Sequence, residues 1–282
     1  MDESTRLRLA VVASRHGGPR FAARARELGA TAFTALEHTM PGGTAESAEE
    51  EAASLADRGI GAVILGTPEY PDALRRTRGA PPFLFHLGAS GLMTAPGIGI
   101  CGSRSASEVG LRAAAACGEE ATRQKLTVIS GYARGVDTAA HAASLSSGGS
   151  TVIVLAEGIS HFRVKRGPIA TAWDPTRALV ISQFPPGAPW TAGNAMTRNN
   201  VIVGLSLSLL VVEAGEKGGT LAAGTKALRL NKPVLALEFE ETPRGNVALI
   251  HDGAMPVHSR AELRDLLAGA ARDPQGNQLS ML

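Results

Sequence analysis

Short apolar runs alternate with amphipathic stretches along most of the chain after residue 97. The runs are rich in Val, Ile and Leu, and the stretches between them carry apolar residues at helical spacing. Apolar strands separated by helices are typical of βαβ units in a buried parallel sheet. The predicted strands cover residues 97–101, 126–130, 151–156, 178–184, 208–214 and 233–239. The predicted helices cover residues 107–124, 136–147, 197–206 and 219–231, and a last one opens at Ser259 with capping-box spacing to Glu262.

The pattern before residue 97 is different. Residues 20–58 are rich in Ala, Glu and Arg and predict helices, residues 59–66 predict a strand, and residues 88–97 have the composition of a linker. We therefore predict an α/β protein with an extended Rossmann-like, doubly wound, mostly parallel sheet and a small helical N-terminal domain. The predicted division is a mostly helical region at 1–90, a sheet domain at 91–270 and a flexible tail at 271–282.

Composition narrows the class of protein without identifying it. The chain has 282 residues, of which 44% are hydrophobic, and a mean hydropathy of +0.04, which argues against disorder. It has no apolar run long enough to span a membrane. The cysteines are Cys101 and Cys117, so we expect a reduced, cytoplasmic protein rather than a disulfide-rich secreted one. With neither a C-x-x-C nor an H-x-x-x-H pair, no metal site is expected.

Basic residues are concentrated in the middle of the chain. The formal net charge is +2, but residues 97–205 carry 10 basic and 6 acidic residues, whereas acids exceed bases by one in each flanking segment. This excess favours an anionic ligand in the middle segment.

Four turns that follow predicted strands combine small or polar residues with one basic residue. They lie at the sheet edge where α/β proteins bind ligands, and the helix that follows each turn offers free N–H groups to an anion. The alternative at each is an ordinary exposed turn, and Tyr132 would either stack on a base or pack in the core. The predicted nucleic-acid-binding residues are Gly102, Ser103, Arg104, Gly131, Tyr132, Arg134, Gly135, Arg198, Asn199, Lys217, Gly219 and Thr220.

Asp137, His141 and Glu213 lie beside these turns, and two kinds of role are open to them. Asp137 and His141 are four residues apart on one predicted helix, so they could form a carboxylate–imidazole pair. Catalysis would need a nucleophile or a metal that the sequence does not supply, so we predict structural support for all three. The G-x-x-x-x-G-K-[ST] loop and the G-x-G-x-x-G fingerprint are absent, which argues against an NTPase or an NAD enzyme, and no cofactor is expected.

The four motifs, in this order, resemble the DNA-processing protein A (DprA, or Smf) family. Its pattern of G-S-R, S-G-x-A-x-G-I-D-x-x-A-H, R-N-R and V-x-E-A with S-G-[ST] is similar to the segments that run here from Gly102 to Thr220. The resemblance covers about residues 59–255. It implies a non-enzymatic, homodimeric protein that binds single-stranded DNA and helps to load a RecA-type recombinase during DNA uptake and recombination.

Departures from the family pattern leave the ligand open. Asn200 stands where the third motif has its second basic residue, and Gln183 stands where a Glu is usual. Phosphoribohydrolases of the same fold group carry a Gly-Gly-x-Gly-Thr-x-x-Glu loop that is similar to residues 218–220, but residues 221–224 lack the Glu. The alternatives to single-stranded-DNA binding are therefore a nucleotide-binding sensor or a phosphoribohydrolase-like enzyme.

Overall fold

The computed structural model describes residues 1–41, 43–164 and 167–272. Within these residues, helices accompany a single nine-stranded sheet. The helices are α1 (Glu3–His16), α2 (Gly18–Leu28), α3 (Thr31–His38), α4 (Thr44–Ala56), α5 (Asp72–Arg75), α6 (Glu108–Arg123), α7 (Val136–Ser146), α8 (Pro168–Ala172), α9 (Ala192–Leu205), α10 (Gly219–Arg229), α11 (Arg244–His251) and α12 (Arg260–Arg272), with 3₁₀ turns at Ser90–Met93 and Ile159–His161. The strands are β1 (Ile60–Ile64), β2 (Phe83–Gly88), β3 (Gly97–Cys101), β4 (Thr127–Ser130), β5 (Thr151–Val154), β6 (Ala178–Ser182), β7 (Leu209–Val211), β8 (Val234–Leu237) and β9 (Met255–Val257).

The strand order is β1-β2-β6-β5-β4-β3-β7-β8-β9. β1 and β2 pair antiparallel with each other, β2 pairs antiparallel with β6, and all other neighbours are parallel. The chain leaves β3 towards β4, β5 and β6, and later continues on the opposite side of β3 through β7, β8 and β9. The predicted α/β class with a mostly parallel sheet is confirmed, and its switch point lies between β3 and β7.

Alternate residues of the central strands face opposite sides of the sheet, as the two-residue period of a strand requires. Leu209 and Val211 belong to one buried apolar cluster, whereas Leu210 and Val212 belong to the other. The first cluster also takes in the N-terminal helices, α9 and α10, and the second takes in α6 and α12. Both faces are therefore covered, which explains why the strands are continuously apolar in sequence.

The six strands predicted after residue 97 all form, although most of the later ones end sooner at their carboxyl ends. The predicted run 208–214, for example, is a strand only at Leu209–Val211. The sequence patterns identified no separate element at β2, β9, α1, α5, α8 or α11. β2 follows Pro81 and Pro82, which mark a turn, and β9 and α11 are too short for a clear periodicity.

Before residue 90, the chain is mostly helical up to Ala56, and beyond that point it contains the single-turn helix α5 and the strands β1 and β2. α1 starts with the Asp2 side chain accepting a hydrogen bond from Thr5 N–H (2.7 Å) and packs against α4 and β1. β1 and β2 then extend the main sheet beyond β6, so one sheet continues across residue 90. The placement of a domain boundary there stays a prediction, and the predicted tail lies, from residue 273 on, outside the described residues. None of the helices described is long and apolar enough to cross a lipid bilayer.

Candidate nucleic-acid interface

A cavity of about 480 Å³ opens at the switch point of the sheet, between the loops that follow β3, β4 and β7 and the start of α9. We call it the edge cavity. It lies outside the carboxyl ends of the strands, as expected for a ligand site in a doubly wound sheet. Eight of the predicted binding residues line it: Gly102, Ser103, Arg104, Arg198, Asn199, Lys217, Gly219 and Thr220.

The loop after β3 is fixed by the helix that it starts. Ser107 caps α6, because its Oγ accepts a hydrogen bond from Gly110 N–H (2.9 Å). Glu213, from the segment after β7, accepts hydrogen bonds from Ser107 N–H (3.0 Å) and Ser107 Oγ (2.5 Å). The carboxylate of Glu213 therefore occupies the positive end of the α6 dipole and ties two loops of the edge cavity together.

Two glycines let the loop after β4 pack closely against its neighbours. Gly135 has φ of +90°, and a Cβ there would lie 2.3 Å from the carbonyl oxygen of Ser103. A Cβ on Gly131 would lie 1.7 Å from Nη1 of Arg198. Neither glycine is among the residues that line the edge cavity. Their part in the site is to bring the β3 loop, the β4 loop and Arg198 into contact.

Arg198 is buried, with 6% of its surface exposed. The sequence placed it at the start of a helix, but α9 begins six residues earlier, where Thr191 Oγ1 accepts a hydrogen bond from Asn194 N–H (2.9 Å). Arg198 Nη1 donates to the carbonyl oxygen of Val154 (2.8 Å), and its Nε has no hydrogen-bond partner among the residues the structure describes. Burial lowers the pKa of this guanidinium, which the nearby Asp137 opposes.

Asp137 lies on the same inner wall and is also buried. Burial raises the pKa of its carboxyl, and the Arg198 guanidinium and the backbone N–H of Ala133 (3.4 Å) offset that only in part. The residue therefore faces a cation and a backbone donor inside the protein. The carboxylate–imidazole pair of Asp137 and His141, which one interpretation of the sequence allowed, does not form.

His141 is fully buried between two strands and the β4 loop. Its Nε2 donates to the carbonyl oxygen of Gly131 (2.6 Å), and its Nδ1 contacts Thr151 Oγ1 (2.5 Å). Burial lowers the pKa of this imidazole to about 4, so the ring is neutral at pH 7. These contacts hold the loop after β4 in place, which supports the structural role predicted for this residue.

Arg104 stands at the mouth of the edge cavity. Its guanidinium lies over the ring of Trp190, 5.1 Å from the ring centroid. Arg134 is exposed, and its Nε donates to the carbonyl oxygen of Arg104 (3.4 Å). This hydrogen bond ties the loop after β4 to the loop after β3.

A smaller cavity of about 380 Å³ adjoins the edge cavity, and Arg104, Trp190 and Arg198 line both. Tyr132 and Arg134 belong to the smaller one. The ring of Tyr132 packs against Phe162 with centroids 5.4 Å apart, and its hydroxyl donates to the carbonyl oxygen of Arg163 (3.3 Å). Tyr132 is thus half-buried against the core, and Trp190 is the more exposed aromatic ring at the site.

The third and fourth motifs meet at the amino end of α10. Asn199 Nδ2 donates to the carbonyl oxygen of Gly219 (3.2 Å), and Thr220 Oγ1 donates to that of Gly102 (3.1 Å). Lys217 is exposed beside them. Asn200, where the resembling motif has a basic residue, accepts a hydrogen bond from Lys226 Nζ. A cation of α10 therefore lies near the place where the sequence lacks one.

Trp190 and Met196 line the edge cavity, and sequence reasoning missed both as site residues. Trp190 is 48% exposed, and Met196 is 46% exposed. The sequence did contain a signal for Trp190. A large aromatic residue in a Pro- and Gly-rich loop usually packs against the protein or contacts a ligand. Met196 gave no comparable signal.

The edge cavity suits a ligand that combines negative charge with a flat apolar group. Within the residues the structure describes, no ion pair involves Arg104 or Lys217, and no group of three His, Cys, Asp or Glu side chains could hold a metal ion. Cys101 lines the cavity, but burial raises the pKa of its thiol far above neutrality. The edge cavity therefore offers hydrogen-bond donors and an aromatic face to a ligand.

Comparison with known proteins identifies the family. The sequence model of the family called DNA recombination-mediator protein A matches residues 61–268, which is most of the chain. The chain belongs to this family. Protein Smf of Synechocystis sp. is 30% identical over 224 residues, which are 76% of this chain and 56% of that protein. The DNA processing protein DprA of Streptococcus pneumoniae is 31% identical over 193 residues, 67% of this chain and 68% of that protein.

Solved structures agree on the fold. The X-ray structure of DprA from Streptococcus pneumoniae superposes with a TM-score of 0.67 at 25% identity and covers 93% of each chain. DprA from Helicobacter pylori, whose structure was described for its single-stranded DNA binding mode, gives a TM-score of 0.64 at 19% identity and covers 74% of this chain and 96% of its own. At that identity the second likeness concerns the fold alone. The match also spans little more than half the length of the Synechocystis relative.

Proposed function

We propose that this chain binds single-stranded DNA at the edge cavity and does not alter it chemically. Membership of the recombination-mediator family supports a role on DNA. The Helicobacter pylori relative of the same fold is described as binding single-stranded DNA. The edge cavity adds a physical reason, since its exposed groups match the two parts of a nucleotide.

The observation that carries the proposal is the contact between Arg104 and Trp190 at the mouth of the cavity. A single strand presents phosphates and unstacked bases, and proteins hold it with cations and aromatic faces. Arg104 can donate two parallel hydrogen bonds to a phosphate, while the exposed ring of Trp190 can stack on a base. Because every base has such a face, this binding is nearly independent of sequence.

The amino end of α10 supplies a second group for phosphate. The first turn of α10 contains no acidic residue, and Gly218, with φ of +116°, precedes it. The equivalent end of α6 is different, because the Glu213 carboxylate already occupies it. An anion in the edge cavity therefore meets free N–H groups at α10 and the exposed Lys217 beside them.

The absence of a catalytic step is part of the proposal. Residues 221–224 follow Thr220 without the Glu that the similar phosphoribohydrolase loop carries. Asp137, a buried carboxylate of the cavity wall, faces Arg198 and the Ala133 N–H. A nucleotide sensor on the same fold is the runner-up, and mononucleotide binding without oligonucleotide binding would favour it.

Partners follow only from the resemblance. Loading of a RecA-type recombinase in DNA uptake, a homodimer and a cytoplasmic location all stay predictions.

The test is the affinity of single-stranded oligonucleotides at two salt concentrations. We expect Arg104→Ala to weaken binding by about 1–3 kcal/mol, as for a lost charge-assisted hydrogen bond. It should also flatten the dependence of log affinity on log salt by about 0.7, the value for one phosphate on a single strand. Arg20→Ala, which removes an exposed cation far from the cavity in sequence and outside its lining, is the matched control.

Two results would contradict the proposal. One is an Arg104→Ala protein that folds normally and binds oligonucleotides as the Arg20→Ala control does. The other is a wild-type protein that binds no oligonucleotide but is stabilised against heat by a nucleoside monophosphate. Release of the free base from that monophosphate would identify the hydrolase alternative.

A further inference from the structure

A third cavity, of about 820 Å³, lies beside the edge cavity along α10. Its walls are the turn at residues 78–79, the segment 216–218 and the side of α10 that runs from Leu221 to Leu230. We call it the α10 groove. Lys217 and Gly219 line the edge cavity, while Lys217 and Gly218 line the groove, so the two are adjacent and share one cation.

The α10 groove is strongly cationic. Four of its lining residues are basic: Arg78, Lys217, Lys226 and Arg229. Glu216 is the acidic one, and its carboxylate pairs with Arg244 Nη1 at 2.5 Å, a residue outside the groove lining. Its charge is therefore largely offset, which leaves the groove with an uncompensated positive field.

The exposed cations of the groove are available to a ligand. Arg78, Lys217 and Arg229 are exposed, and none of the hydrogen bonds or ion pairs within residues 1–41, 43–164 and 167–272 uses their side chains. The exposed arginines of α12 differ from these cations, because Arg260 and Arg264 pair with carboxylates of α6. Three that share one groove without such a partner favour an anionic ligand with several charges.

Lys226 and two leucines shape the floor of the groove. Lys226 is half-buried and donates to the side-chain oxygen of Asn200 on α9, which places its charge at a fixed point. Leu221 and Leu230 are half-buried and add apolar surface. A floor with one positioned cation and apolar patches suits a chain of sugars and phosphates better than a free inorganic ion.

We propose that the α10 groove is a second phosphate-binding subsite, in which a single strand continues after it leaves the edge cavity. This inference rests on the proposed function. A strand that passes Lys217 would meet Arg229 and Arg78 next. The groove would thus lengthen the bound segment without reading its sequence, because cations on phosphates carry no sequence information.

The experiment compares short and long oligothymidylates on Arg78→Gln, Arg229→Gln and the double variant. With an oligonucleotide of about four nucleotides, which one small site can hold, each variant should bind within about twofold of wild type. With about 20 nucleotides, each single variant should bind about fivefold more weakly near 0.1 M salt and lower the salt slope by about 0.7. The double variant should lose about 25-fold if the two contacts are independent.

Controls separate this inference from the proposed function. Arg20→Gln removes the same charge from the exposed side of α2, away from both cavity linings, and should match wild type at both lengths. If long oligonucleotides bind Arg78→Gln and Arg229→Gln as tightly as Arg20→Gln, while Arg104→Ala still weakens binding, the groove is not a subsite and the edge cavity still binds DNA. If wild type binds neither length, both proposals are wrong.

Discussion

The two ends of helix α6 carry similar charged residues but use them in opposite ways. At the carboxyl end, the fully buried Glu120 accepts hydrogen bonds from Arg123 (2.5 Å) and Arg260 (2.5 Å), and pairs with Arg264 at 3.2 Å. At the amino end, Arg104 lies over Trp190 and forms no ion pair with a carboxylate of the described residues. The first group is a closed network of ion pairs around one buried carboxylate, and the second faces a cavity.

This difference shows that a count of charges does not locate an anion site. The basic excess of residues 97–205 includes Arg123, which Glu120 neutralises, and Arg177, which Asp174 neutralises at 2.8 Å. Some of the remaining cations line the edge cavity or the α10 groove, whereas others, such as Lys125, line neither. What marks the site is that several cations without a carboxylate partner share adjoining cavities, and that property appears only when the chain is folded.

As the pH falls, protonation of His141, which holds the loop after β4, should destabilise the protein before protonation of Glu120 at the carboxyl end of α6 does. The pKa of His141 falls from 6.5 in the unfolded chain to about 4 in the folded protein. The unfolded state therefore binds the extra proton between these values, so stability is full above pH 6.5 and is lost as the pH falls through 4. The loss attributable to His141 should reach about 3 kcal/mol at pH 4.

Urea unfolding of wild type and His141→Gln between pH 7 and pH 4 measures this effect. The variant should be less stable at pH 7, because its side chain cannot reproduce both hydrogen bonds, and its stability should depend less on pH. His251→Gln, which alters an exposed histidine on α11, is the matched control and should keep the wild-type slope. An equal slope in all three proteins would contradict the prediction.

Substitutions at the carboxyl end of α6 should change the stability of the protein and leave its affinity for oligonucleotides unchanged. Glu120→Gln removes the charge that three guanidinium groups share, and we expect it to lower the free energy of unfolding by about 2 kcal/mol. The estimate is below that for a fully buried pair, because the arginines are half exposed and can be rehydrated. Glu119→Gln, which removes one ion pair from a more exposed carboxylate, should cost less than about 1 kcal/mol.

Oligonucleotide affinity distinguishes the two ends of α6 in the same variants. Glu120→Gln and Glu119→Gln should both bind oligonucleotides as wild type does, since neither residue lines the edge cavity. A change in affinity that accompanied the loss of stability would show that α12 is coupled to the DNA site, and the contrast between the two ends would then fail.

Much of this architecture could be predicted because it depends on local pattern. Six apolar runs identified the strands β3 to β8, and the polar and glycine-containing turns identified eight of the residues that line the edge cavity. The burial of Arg198 could not be predicted, because it depends on the Val154 carbonyl and on Asp137, which are distant in sequence. The link between Lys226 and Asn200 was hidden for the same reason, since it joins two helices that pack only in the fold.

The outer strands β2 and β9 were missed for a different physical reason. β2 and β9 extend a sheet whose central strands already define it, so neighbouring strands, and not their own propensity, fix their conformation. Trp190 illustrates the limit for function. A single aromatic residue in an irregular loop has no period to reveal its surroundings, and its position over Arg104 emerges only from the structure.

The smallest expected effect concerns Trp190, and it tests whether the cavity end of α6 uses an aromatic face as well as charge. Trp190→Ala should weaken binding of a single-stranded oligonucleotide by about 1 kcal/mol, at the lower end for one stacked base, because the ring is half exposed. Its salt slope should equal that of wild type, since no phosphate contact is lost, whereas Arg104→Ala should flatten the slope. Trp190→Phe should retain most of the affinity, and all three variants should keep wild-type stability.

The chain has two tryptophans, so in a Trp173→Phe background the remaining fluorescence reports on Trp190 alone and should be quenched as the oligonucleotide binds. Unchanged fluorescence, or an affinity for Trp190→Ala equal to that of wild type, would mean that the ring serves only to position Arg104, and charge alone would then separate the two ends of α6.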